Sequence, residues 1–337
     1  MIRARWWGPF FGIGLALVVT SVALALGGYD VGEAFAALWR GAFGSEQAIA
    51  SFTLKRSVPL LLTGLAVALA FRAGIWNIGA EGQLYAGAVA GFTVGLIGGG
   101  LPSFVLIPLV LLASLLAGAA WAALPTIMKL KGGTNEVITT LLLNFVAINL
   151  TAWLVQGALQ EPRGVYNESA PLPESAHLPI LWGETDLHVG FALAVVLAVG
   201  LWVVFRFTRA GFLVRAIGEG PAAARITGQV RSNRVTAGVF LASGALAGLA
   251  GAVQVAGVDL KLYESLSPGW GYTAIAVALL ARLNPLGVVL TAVFFGALQA
   301  GAAGMQRAAG VPFAWVNVIE AIAVLGVLIA AREKAAA

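Results

Sequence analysis

Apolar runs close to one bilayer thickness recur along almost the whole chain, and that recurrence leaves few folds open. A helix needs about 20 apolar residues to cross a hydrocarbon core. Residues 9–28, 103–128, 136–156, 188–205, 235–256, 286–303 and 312–331 all approach that length. Inside lipid every backbone N–H and C=O must be satisfied within the protein, so spanning segments are helices or closed barrels. Runs this long read as helices. Soluble domains carry about a quarter charged residues, whereas this chain of 337 residues is 10% charged and 60% hydrophobic, with mean hydropathy +0.92. The expected fold is an all-α polytopic membrane protein, one domain over residues 1–337 with about ten transmembrane helices.

Charge orients those spans. Arg3, Arg5, Arg72, Lys129, Lys131, Arg206, Arg209, Arg215, Arg225, Arg231, Arg234, Arg282, Arg332 and Lys334 fall on one side of that path. Arg40, Lys55, Arg56, Arg163, Lys261 and Arg307 fall on the other. Fourteen against six has the sign that the positive-inside rule requires, which places both termini in the cytoplasm. The first run outlasts an ordinary signal-peptide core, so it is expected to remain as a span. After it, Val31, Ala34, Phe35 and Leu38 repeat at helical spacing, predicting an interfacial helix outside the membrane. Residues 157–187, with four prolines and five acids, form the largest outer loop.

Two stretches break the apolar pattern. A short second span, 57–71, runs into a Gly- and polar-rich stretch over 72–83. A second short run, 271–281, ends at Arg282-Leu-Asn-Pro285, after a polar outer segment at 259–270. Membrane transport proteins build pathways from interrupted spans in corresponding places of two halves, so these breaks suggest a diverged internal repeat. Asn77, Glu81 and Gln83 sit in the first break. An ionised carboxylate at a span centre costs about 2.5–3.5 kcal/mol on insertion scales, so Glu81 requires water, a proton or a partner such as Arg72. It is either a pathway group or a structural carboxylate tying broken backbone ends together. Thr140, Asn144 and Thr151 share one face of span five and either line a conduit or bond neighbouring helices. Glu136 suits the N-terminal end of that helix's dipole. Gln254, Gln299, Asn317 and Glu320 are further polar positions, and Gly87, Gly91 and Gly95 repeat every fourth residue, which permits close helix packing.

Residues 206–234 hold six arginines and one acid, Glu219, between two spans. Within them 216–229 reads as a short helical piece bracketed by glycines, with Pro221 at a first helical position. The segment either sets orientation only or docks a cytoplasmic partner. Several chemistries have no footing in the sequence. There is no cysteine, no Gly-x-x-x-x-Gly-Lys-Ser/Thr loop to hydrolyse ATP and no nucleophile elbow. His177 and His188 lack metal-ligand spacing. The net charge of +5 belongs to membrane flanks, so no nucleic-acid partner is expected.

Three segments carry a family resemblance: LLLTGLAVALAFRAGIWNIGAEGQLYAGAVAG (60–91), TNEVITTLLLN (134–144) and GYTAIAVALLARLNPLG (271–287). They resemble permease subunits of ATP-binding-cassette importers for ribose and branched-chain amino acids. WNIGAEGQ is most similar to the nucleoside-importing branch. The resemblance implies a multi-pass protein of the bacterial plasma (inner) membrane that binds no cofactor itself, with ATP and Mg held by a partner ATPase. It further implies a second, different permease subunit and an extracytoplasmic substrate-binding lipoprotein, met through the outer loop. Residues 206–234 become the coupling loop to the ATPase. The family's Gly-x-Asn-x-x-Ala-Ala-x-x-x-Gly pattern falls on Gly218, Gly220, Ala223, Ala224 and Gly228, with Pro221 between, although Gly220 replaces the usual Asn and Arg225 a common aromatic. Asn77, Glu81, Gln83 and Asn144 form the expected substrate pathway. The competing class is a gradient-driven transporter in which Glu81, Glu136 or Glu320 relays a proton.

Overall fold

The computed structural model describes residues 7–220 and 232–312, together with Trp315, Val318 and Ala321. The described residues are helical, apart from loops and three isolated antiparallel bridges. Among the described residues, six helices are long and apolar enough to cross a membrane. The backbone divides into two compact units, Met1–Ser57 with Val293–Ala337, and Val58–Ala292.

In the first unit, α1 (Trp7–Leu26) precedes the amphipathic α2 (Val31–Phe43). Asp30 caps α2 by accepting from the Glu33 N–H at 2.8 Å, and Glu33 lies in the first turn, where the dipole favours an acid. Ala34, Ala37 and Ala42 are its buried positions, while Trp39 and Phe43 stay exposed. The second span begins earlier than its apolar run suggests. A π-type stretch, Ala48–Leu54, leads directly into α3 (Lys55–Arg72), because Ser51 and Thr53 are buried and Thr53 donates to the Ala42 carbonyl at 2.8 Å. Polar positions ahead of the expected start of the span are thus satisfied core positions. The Arg56 guanidinium donates to the Gln299 carbonyl at 2.8 Å.

The second unit carries the remaining elements: α4 (Ala80–Ile97), α5 (Ser103–Gly132), α6 (Glu136–Val155), α7 (Gly190–Phe207), α8 (Arg209–Glu219), α9 (Ser232–Gln254), α10 (Trp270–Leu280) and the start of α11 (Pro285–Ala309). Helices α4, α5 and α9 cross at glycines. A Cβ on Gly87 would lie 2.2 Å from the Gly248 carbonyl oxygen, and one on Gly248 would lie 2.3 Å from that of Ser114. The Ser114 hydroxyl adds a bond to the Gly87 carbonyl at 2.7 Å. Gly87 and Gly91 do sit at close contacts, as their spacing predicts, and the partner stripe on α9 (Gly244, Gly248, Gly251) completes the crossing.

The arginine-rich segment is described up to Gly220 and again from Ser232. A helix, α8, begins at Arg209 and takes up 216–219; the rest of the expected 216–229 piece lies outside the described residues beyond Gly220. It begins there because Thr208 is extended and its hydroxyl accepts from the Gly211 N–H at 3.2 Å. That is a side-chain N-cap, which an Arg-dominated reading overlooks. The 157–187 loop is tied down by the chain after α9: Ser169 and Leu172 N–H groups bond the Leu262 and Leu260 carbonyls. Lys261 and Glu168 pair at 2.7 Å, and that carboxylate raises the Lys261 pKa.

Gly248→Ala is expected to destabilise the protein by about 1–3 kcal/mol, because a methyl group must force two backbones apart. Gly238→Ala, at a position open to solvent or lipid, serves as the control with matching chemistry. Thermal unfolding of the detergent-purified chain should separate the two, and equal midpoints would contradict the tight crossing.

Candidate functional site

Helices α4 and α10 both begin inside the second unit, so each presents unsatisfied N–H groups to its interior. A helix leaves its first four N–H groups without intrahelical partners. In water these are solvated; here the protein must supply acceptors. For α4 the acceptor is Asn144, whose Oδ1 takes the Gly82 N–H at 2.8 Å. For α10 it is Glu81, whose Oε2 takes the Gly271 N–H at 2.6 Å. The Ser267 hydroxyl bonds the same carboxylate and also accepts from the Gly269 and Trp270 N–H groups at 3.1 and 3.0 Å. The two sequence breaks are therefore one junction. A Cβ on Gly271 would fall 2.2 Å from the Glu81 backbone nitrogen, so glycine is required for the approach.

The extended stretch between α3 and α4 is stitched to one face of α6. Glu136, Thr140 and Asn144 stand four residues apart. The Glu136 carboxylate faces the Trp76 N–H, the Thr140 hydroxyl accepts from the Ile78 N–H at 3.3 Å, and Asn144 reaches Gly82. Asn144 also donates to the Ile78 carbonyl at 2.9 Å and to the Tyr272 hydroxyl at 3.2 Å. Asn77 and Gln83 pair amide to amide, at 3.0 and 3.1 Å, and Asn77 donates to Ser243 at 2.9 Å. Ser243 passes the chain on to the Ala66 carbonyl at 2.7 Å. Tyr85 accepts from the Ser267 N–H at 3.1 Å.

All four sequence-predicted pathway residues thus meet in one buried network, with Asn77, Glu81, Gln83 and Asn144 each at most 1% exposed. The partner expected for Glu81 is corrected. Its carboxylate meets Gly271 and Ser267, while the Arg72 guanidinium lies 5.7 Å from the Phe205 ring centroid. Two helix N-termini supply partial positive charge there, so a cation is not needed. The polar segment before α10 joins the junction at its end, where Leu266 is buried and the Ser267 N–H meets the Tyr85 hydroxyl. Thr151 stays outside the network and bonds the Ala147 carbonyl of its own helix. Glu136 forms an ion pair with Lys129, and Gln254 donates to Asp259 at 3.0 Å. Ser243, Ser267 and Tyr272 were missed by sequence reasoning. A hydroxyl among the glycines and alanines of α9 was the available signal for Ser243.

At the end of α3, α8 buries Gly211, Val214 and Ile217. Gly218 sits directly on the end of α3: a Cβ there would lie 2.1 Å from the Arg72 carbonyl oxygen. Gly74, at φ +71°, faces Gly218 as the chain turns into the break. Gly220 ends α8, its N–H bonding the Ala216 carbonyl at 3.2 Å. Pro221, Ala223, Ala224 and Gly228 lie outside the described residues, as do Asn317 and Glu320.

With this geometry in place, comparison with known proteins decides the family. Residues 49–330 match the model of the branched-chain amino acid transport system permease component. The chain belongs to that family. This permease is 39% identical to the glucose ABC transporter permease of Haloferax volcanii, covering 94% of this chain and 85% of the relative. It is 36% identical to the guanosine ABC transporter permease NupP of Bacillus subtilis, over 94% and 91%. It is 30% identical to the nucleoside ABC transporter permease NupB of Lactococcus lactis, over 93% and 88%. No solved structure matches it. The permease is accordingly an ABC transporter subunit and a multi-pass plasma-membrane protein.

Two substitutions test the junction. Asn144→Leu strands the buried Gly82 N–H and Ile78 carbonyl, each costing about 1–3 kcal/mol, and should lower the unfolding midpoint in detergent sharply. Glu81→Gln keeps an oxygen for the Gly271 N–H, so uptake in cells should largely survive, whereas Glu81→Leu should abolish it. Loss of accumulation in Glu81→Gln equal to that in Glu81→Leu would instead indicate a proton carrier.

Proposed function

We propose that this permease forms half of the path of an ATP-driven importer that brings nucleosides into the cytoplasm. In this reading ten membrane segments run between two cytoplasmic termini, with α10 a half-span. A separate cassette ATPase holds ATP and Mg, and an extracytoplasmic lipoprotein delivers the solute at the outer loop. The observation that carries the reading is the seat of Gly218 against the Arg72 carbonyl. The basic cytoplasmic helix touches the base of the broken segment whose far end is the Asn77–Asn144 network. Any displacement of α8 therefore bears directly on the break, since packed backbone cannot be compressed. Gly218, Gly220, Pro221, Ala223, Ala224 and Gly228 are the proposed ATPase-coupling set. Asn77, Glu81, Gln83 and Asn144 shape the pathway by fixing its broken backbone.

The relatives support two finer points. Two of the three named above carry nucleosides or guanosine in their names, against one with glucose. Two differently named permeases from each of three organisms match this chain, one at 39, 36 or 30% identity and the other at 28, 28 or 30%. That pattern favours a pair of unlike permeases, with this chain in the place of the first.

Reconstitution with its ATPase and second permease tests the reading. Labelled nucleoside should accumulate only with ATP, and a protonophore should leave accumulation intact. ATP-independent uptake that a protonophore collapses would overturn it. Within that assay, Gly218→Val should cut uptake at least about tenfold, the factor 1.4 kcal/mol represents, while the ATPase still co-purifies. Uptake at the normal rate would remove Gly218 from the coupling route.

A further inference from the structure

The exposed surface of the spans is apolar, with one exception. Among the described residues, Asn149 on α6 is the exposed amide or charged side chain that stands more than a turn from a span's end. Its Nδ2 donates to the Phe145 carbonyl at 2.8 Å, and its Oδ1 has no partner among the described residues. An amide oxygen left without a hydrogen bond in hydrocarbon is costly, because it gives up its water partners without compensation. This face of α6 is therefore not built for lipid tails; it requires water or a hydrogen-bonding occupant.

The neighbours of Asn149 narrow the occupant. Phe145 and Trp153 lie four residues before and after it, on the same helix face, and are 55% and 67% exposed. The remaining exposed positions around them, Leu142, Val146 and Leu150, are aliphatic. Aromatic, amide and aromatic thus rise in sequence along one stripe that carries no formal charge. On the opposite side of the helix, Glu136, Thr140 and Asn144 hold the broken segment. Helix α6 is a wall, with one face stitched to the junction and the other open.

We infer that the Phe145–Asn149–Trp153 stripe is the surface on which a purine base is held during passage, an assignment that rests on the nucleoside-import reading. A base is flat, uncharged and bears donors and acceptors along its edge. Aromatic side chains offer its flat face a stacking surface. A carboxamide pairs with a purine edge through its donor and acceptor together. A hexose presents hydroxyl groups around its whole ring, and a stripe with a single amide leaves most of them unmatched. A phosphorylated solute finds no cation there.

The test uses the complete importer in vesicles, with labelled guanosine and adenosine and labelled glucose as a comparison. Asn149→Leu should lower kcat/KM for the purine nucleosides roughly 10- to 100-fold, the range of one bidentate amide–base pair. Asn149→Gln should recover part of the loss, and Phe145→Ala and Trp153→Ala should raise KM. Assembly with the ATPase and second permease, followed by co-purification, must be retained. If Asn149→Leu transports nucleosides at the wild-type rate, the face meets lipid and the inference fails. If Asn149→Leu instead dissociates the second permease, the stripe is a subunit contact and the inference fails equally. Wild-type importer that takes up glucose and no nucleoside would overturn the parent reading, which distinguishes that failure from the other two.

Discussion

The junction depends on one requirement: a helix that starts inside an apolar bundle must find acceptors for its first N–H groups. Two helices of this permease start there. Each is capped by a side chain from outside its own first turn's sequence neighbourhood, α4 by Asn144 and α10 by Glu81. The arrangement explains why a carboxylate is tolerated at a fully buried position without a basic partner. Glu81 sits at the second residue of one helix and against the second residue of another, where both dipoles favour negative charge. It also explains the chemical identity of the caps. Asn144 has to accept from Gly82 while donating to Ile78 and Tyr272, and a carboxamide provides both functions at once.

Close approach is the second condition, and glycine supplies it. The hydrogen bond from Gly271 to Glu81 exists because nothing larger than hydrogen separates the two backbones. The same holds where α4 and α5 meet α9, which places Ser243 within reach of Asn77. Without the glycine crossings the helices would stand farther apart, and the polar groups between them would be left unpaired. Packing by small residues and satisfaction of polar groups are thus mutually dependent here, as expected where lipid offers helices little hydrophobic drive to associate.

Much of this was legible in the sequence, and the limits have physical causes. Apolar length located the long helices, and Gly87 and Gly91 announced the crossing by their spacing. The two breaks were visible because glycines and polar residues interrupt hydrophobic runs, and three polar residues from the first break meet Asn144 of α6 at one buried junction. What pattern could not show was partnership. Arg72 looked like a natural counter-charge for Glu81 because it is near in sequence and opposite in sign. The folded chain uses Gly271, far along the chain, because backbone N–H groups leave no trace in a sequence. Asn149 escaped notice for a related reason. On one helix Asn144 and Asn149 are chemically identical, and only the packing of α6 separates a buried cap from an exposed side chain.

That separation bears on how selectivity and movement divide between the two faces of α6. The amides of Asn77, Gln83 and Asn144 are engaged by one another, by backbone and by hydroxyls. A solute recruiting any of them must first break a bond that holds the extended stretch in place. Binding there would loosen the scaffold, so such an encounter carries a penalty comparable to the bond it replaces. The open face imposes no such penalty, since the Asn149 oxygen has no internal partner to lose. The stitched face is meanwhile suited to carry displacement. Three acceptors on α6 hold the break along its length, and Gly218 seats α8 against its base. In the proposed coupling, a push on α8 would therefore bear on the break and on α6 attached to it, with the exposed stripe on the far face of the same helix. In the proposed importer a single helix would in this way link a push on α8 to the stripe assigned to the solute, with its polar interior intact throughout.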